Sequence, residues 1–146
     1  MTFKNEAQLK AFILAKCQSA LSNAQEKVYK IIDLHIQRFY ADYDPVMYDR
    51  TYQLMHSLVK SSIIPVGNGY KAEVYFDLGS IGYSTGAQPS GGQVFGAAAY
   101  GGHGANGLRV VYGGGADIWQ TPKEILDAEA IEILVQELKA AGIPIK

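Results

Sequence analysis

Thirteen of the sixteen glycines in this chain fall between Gly79 and Gly115, and that clustering constrains the fold more than any other feature. Glycine loses the most backbone freedom on ordering, so the run GSIGYSTGAQPSGGQVFGAAAYGGHGANG is unfavourable to fix within a lone subunit. Loops beyond about 12–15 residues with no structure of their own are uncommon in compact domains, and are usually functional or disordered. Tyr83, Val94, Phe95 and Tyr100 add apolar area that a solvated linker has no use for. We read residues 79–107 as a Gly-rich loop that orders against a partner, with Phe95, Tyr100 and His103 as its contact residues.

The chain before the glycine run is organised differently. From about Glu6 to Tyr40 there is neither Pro nor Gly, and Leu14, Cys17, Leu21, Ala24, Val28, Ile31 and His35 follow a three-four spacing. That spacing predicts a helix over 6–41 with an amphipathic seam. Unbroken it would run to about 50 Å, against the roughly 30 Å that a small domain spans. Either it breaks near Ser22 and Asn23, or it projects and packs on other subunits through Leu14, Leu21 and Val28. A single core helix covered by the rest of the domain is the alternative.

Asp44 followed by Pro45 signals a second helix over 45–60, since Asp caps free backbone donors and Pro loses nothing in the first turn. SSIIPV and YKAEVYFDL then flank Gly67, Asn68 and Gly69, which predicts a β-hairpin over 61–78. In its second strand Tyr70, Ala72, Val74, Phe76 and Leu78 alternate with Lys71, Glu73, Tyr75 and Asp77, giving one buried and one wet face. LRVVY reads as a strand over 108–112. Thr121, Pro122 and Glu124 form a capping box that opens a C-terminal helix over 122–141, and Gly142 with Pro144 stop it. The expected fold class is α+β in a single domain: a long N-terminal helical part, a small mostly antiparallel sheet with a long Gly-rich loop, and a C-terminal helix.

Charge and composition exclude several roles. Thirteen basic and fourteen acidic residues leave a net charge of -1 without like-charge runs, so bulk electrostatics favour neither nucleic acid nor a membrane surface. The longest N-terminal apolar run, Ala11 to Ala15, is too short for a signal-peptide core or a membrane span. The single Cys17 sits at an apolar helical position and is expected to be buried and inert.

No residue set announces chemistry. Gly102, Gly104 and Gly107 match the dinucleotide fingerprint by spacing, but they open a strand rather than a helix. His35, His56 and His103 lack the spacings of a zinc site. Ser57, Ser80 and Ser90 have no nucleophile-elbow context. Asp42, Asp44 and Asp49 are accounted for by a helix start. Phe39, Tyr40, Tyr43, Tyr48 and Tyr52, interleaved with Arg38 and Arg50, are expected to pack the joint between the first two helices rather than to stack on bases. We therefore expect no catalytic residues, no cofactor and no metal.

At FYADYDPVMYDRTYQLMHSL the chain resembles the tail-completion or head-tail joining proteins of long-tailed bacteriophages, often described as minor capsid or neck proteins. The matching positions are Tyr48, Arg50, Thr51, Leu54 and Ser57. A Gly commonly follows the R-T pair in that family, and here Tyr52 occupies the place. The resemblance implies a non-enzymatic virion protein, assembled in the host cytoplasm as a homo-oligomeric ring beside other junction or tail proteins, with no membrane and no sequence-specific nucleic-acid partner. The competing readings are a small enzyme or ligand-binding protein that uses the Gly-rich segment as a lid with His103 at its tip, and a cytoplasmic regulator with a binding loop.

Overall fold

The computed structural model describes residues 2–42, 52–81, 91–100 and 118–146. Tyr48, Arg50, Thr51, His103, the helix start at Asp44 and Pro45, and the strand expected over 108–112 lie outside them.

Helix α1 runs from Glu6 to Asp42, 37 residues without a break, or about 55 Å at 1.5 Å per residue. Its start is closed reciprocally. The Gln8 N–H donates to Asn5 Oδ1 at 2.9 Å, and the Lys4 N–H donates to Gln8 Oε1 at 2.9 Å, a variant of the capping box. The break considered near Ser22 and Asn23 does not occur. Ser and Asn each disfavour a helix interior by only about 0.5 kcal/mol, and Ala20, Ala24 and Gln25 are buried on either side of them.

The helix expected over 45–60 is corrected at its C-terminal end. Within the described residues it is one turn, α2 (Gln53–His56), and the chain then enters strand β1 (Leu58–Lys60). β1 pairs antiparallel with β4 (Val74–Phe76), placing Leu58 opposite Phe76 and Val59 opposite Tyr75. That ladder wins because Leu58 joins the core on one side while Val59 and Tyr75 face each other on the other. Between them β2 (Ile64–Val66) pairs with β3 (Gly69–Lys71) around Gly67, whose φ of +56° suits glycine. The expected hairpin is therefore present, but it starts at Leu58 and its ladder is interrupted. At the gap the Ser61 N–H donates to the Glu73 carbonyl at 2.9 Å, and the Glu73 N–H donates to Ser61 Oγ at 2.9 Å. From Tyr70 to Leu78 the side chains alternate between half-buried and exposed as the sequence pattern required.

The Gly-rich loop expected over 79–107 is also corrected. Residues Gly91–Tyr100 form a helix, α3, packed on a single 3-10 turn at Leu78–Ser80. Gly91 is there for clearance, since a Cβ on it would lie 2.0 Å from the Leu78 carbonyl oxygen. Helix α4 (Gln120–Ala140) starts two residues before the expected Thr121 cap boundary would allow. Its first turn is already closed by the Lys123 N–H on the Trp119 carbonyl at 2.8 Å, and Pro122 is buried within that turn. Its end is as expected. Gly142 at φ +86° lets the Gly142 and Ile143 N–H groups return to Lys139 and Leu138, each at 2.9 Å, a Schellman closure.

The fold is α+β. Its core gathers Ile32 and Ile36 of α1, Leu54 of α2, Leu58 of β1, Ala99 of α3, and the flanking Ile81 and Ile118. Phe76, Phe95 and Trp119 wall one side, with ring centroids 4.8–6.2 Å apart, in edge and tilted arrangements that aromatic quadrupoles favour.

Candidate interaction surface

Helices α1 and α4 lie against each other in antiparallel sense. Leu126, near the start of α4, packs on the cluster around Ile32 and Ile36, and Glu137, near its end, meets Lys27 Nζ at 2.5 Å. The hydrogen bond from Lys27 holds the Glu137 carboxyl below the usual carboxylate range, against the opposing effect of desolvation. Lys27 thus marks the face of α1 that fronts α4.

That face continues beyond its cover. Leu9 lies about five turns before Lys27 on the same face, and Ile13 about one turn closer. Each is 40% exposed. Next to them the Phe3 and Phe12 rings sit 5.2 Å apart, with Lys16 Nζ 5.5 Å from the Phe12 centroid. No residue from Glu6 to Ser19 is buried. On the outer side of α4, Ile131 is 80% exposed, with exposed Glu124, Asp127 and Glu132 around it.

The residues expected at an interface fall in different places. Leu14 is half-buried in the N-terminal part of α1, where no residue is fully buried, and Leu21 is half-buried just after the first buried position at Ala20. Val28 packs against the subunit's own core. Phe95 lies on Phe76 and Trp119 of the same chain, so its burial needs no second molecule. Tyr100 ends α3. Of the family positions, Leu54 is a core residue, and the buried Ser57 donates from Oγ to the Leu54 carbonyl at 2.7 Å. Leu9 and Ile131 were not singled out from the sequence. The four-residue step from Leu9 to Ile13 was legible there, whereas the exposure of Ile131 depends on which side of α4 meets α1.

A second constellation fixes the hairpin to α1. The buried Gln25 amide donates to the Ser61 carbonyl at 3.0 Å and to the Glu73 carbonyl at 2.9 Å. Beside it Lys60 pairs with Glu26, the residue after Gln25, and lies 5.0 Å from the Tyr29 ring centroid. The hydrogen bond from Lys60 lowers the Glu26 pKa. His35 Nδ1 is 2.8 Å from the Ile31 carbonyl, the half-buried ring expected on the seam. Among the described residues no group of His, Cys, Asp and Glu is placed to hold a metal ion. No helix among them is long and apolar enough to cross a membrane.

The YomN family matches residues 5–140. The chain belongs to the YomN family. YomN is a phage-derived family of Bacillus type, and the chain is a phage-associated protein. No curated protein and no solved structure matches it. In this YomN chain Tyr52 has φ 56° and ψ 14°, the left-handed region that glycine enters without a steric penalty. Here the Tyr52 ring stacks on Tyr40 with centroids 5.1 Å apart.

Proposed function

We propose that this YomN protein is a structural subunit of a tailed phage particle, placed at the junction of head and tail and assembled with copies of itself into a ring. The observation that carries the reading is the length of α1, which extends past the body that packs on it and leaves Leu9 and Ile13 uncovered on the face α4 occupies further along. A subunit that ends at its own core has no use for that overhang. Heterologous contacts between copies close into a ring when the rotation between them closes, and a head-tail junction requires that shape. Against the lid reading, α3 inside the Gly-rich segment is seated on the core through Phe95 and Ala99.

The deciding experiment purifies particles from a host expressing the intact phage and from one lacking this gene. The protein should co-purify with the particles, and cryo-electron microscopy should locate it where head meets tail. Its loss should give filled heads and free tails. Absence from purified particles, with normal joining in the deletion, would sink the reading.

A further inference from the structure

The overhanging end of α1 and the outer face of α4 are complementary. The α1 end carries Leu9, Phe12 and Ile13 with Lys16 lying over the Phe12 ring, and Lys4 and Lys10 exposed nearby. Its helix N-terminus adds partial positive charge. The outer face of α4 carries Ile131, the most exposed large apolar residue described, between Glu124 and Glu132. The hydrogen-bond partners of those two carboxylates are the neutral amides of Gln120 and Gln136, so their charge is not cancelled within the helix. Leu134 and Val135, one turn beyond Ile131, are half-buried and extend its apolar stripe.

We infer that the overhang of α1 docks on the outer face of α4 of a second copy of this chain, Leu9 and Ile13 against Ile131, with Lys16 and Lys10 facing Glu124 and Glu132. The occupant is argued from charge: Lys4, Lys10 and Lys16 outnumber Glu6 on the overhang, Lys123 on α4 pairs with Asp127 and leaves Glu124 and Glu132 in excess, and both surfaces flank an exposed apolar centre. Within one subunit the overhang lies beyond the end of α4 near Lys27, so the contact forms between copies. It is heterologous, each copy giving one α1 end and receiving another, as a ring or an open filament requires. This inference rests on the ring reading above and names the surface that builds it.

The test uses Ile13→Asp and Ile131→Asp, made separately in the full chain. Both side chains lie outside the core, so circular dichroism and the melting transition should match the wild type. In sedimentation experiments over the soluble concentration range the wild type should self-associate, and each variant alone should stay monomeric. Mixed, the two variants should form a 1:1 dimer and stop there, because one supplies an intact α4 face and the other an intact α1 end. A mixture that remains monomeric, a variant that still self-associates, or a wild type that never does would overturn the inference. If particles contain the protein at the junction while the mixture stays monomeric, the overhang contacts a different virion protein and the ring surface lies elsewhere. If the dimer forms but the protein is missing from particles, the contact stands and the junction reading fails.

Discussion

The two halves of α1 share one helical pattern and have opposite environments. From Glu6 to Ser19 nothing is buried, whereas from Ala20 to Tyr40 the helix buries Ala20, Ala24, Gln25, Ile32 and Ile36 beneath α4, the hairpin and α2. Three-four periodicity therefore reports that a face wants cover. It does not report whether the cover comes from the same chain. The packed half has acquired specific polar fasteners to other elements, Gln25 and the Lys27–Glu137 pair, and the free half has a terminal cap, one aromatic pair and Lys16 over the Phe12 ring.

The sharpest way to break this contrast is a matched pair of truncations. Ile36→Ala, at a fully buried site, should destabilise the subunit by about 3 kcal/mol. Ile13→Ala should stay within about 0.5 kcal/mol of wild type, and urea unfolding measures both. Equal losses would mean that the overhang is packed in the free subunit. Gln25→Ala comes next. It strips a donor from two carbonyls at the hairpin gap, for which about 1–3 kcal/mol is expected. Amide exchange should quicken from Ser61 to Glu73 and not at the overhang.

Acid should loosen only the packed half, and more gently. Glu26 and Glu137 have lowered pKa values in the folded state. The stability they contribute is complete above the unfolded carboxylate value of about 4.3 and is lost as pH falls through the lower folded values. Melting temperature should therefore fall below about pH 4.3, and Lys27→Met should flatten part of that fall. High salt should shrink the effect, because both pairs are partly exposed to solvent. An unchanged acid profile in Lys27→Met would remove the pair from the contrast. The smallest effect belongs to Asn5→Ala. Losing the cap should speed exchange in the first turn of α1, where capping is worth about 1 kcal/mol locally. Global stability should be unchanged, because that turn opens without the core.

The fold class was legible wherever a local signal and the tertiary outcome agree. Gly142 and Pro144 ended α4, the alternation from Tyr70 to Leu78 set the hairpin faces, and the Pro-free, Gly-free stretch gave α1 its length. Sequence reasoning failed where distant contacts outweigh local preference. Leu58 to Lys60 continue a helical pattern, but β4 is waiting to pair with them. Gly91, Gly92 and Gly96 each disfavour a helix by about 1 kcal/mol. Even so α3 forms, because Phe95 and Ala99 bury against the core and Gly91 must pass close to Leu78. Of the candidate surface, the apolar seam could be read but not its division. Val28 and Leu14 carry the same spacing and are both half-buried, and only the tertiary packing decides that Val28 joins the core cluster.

Gln25 has a consequence of its own. The turn at Gly67 sets the register of strand on strand, but a turn does not say where the hairpin as a whole lies along α1. One amide gripping two named carbonyls has no equivalent site a step away. The hairpin is thereby indexed to a single mark on α1, as a rule is to its zero. Every copy of the chain then presents its parts at the same height along that helix, which is the tolerance needed for interchangeable pieces.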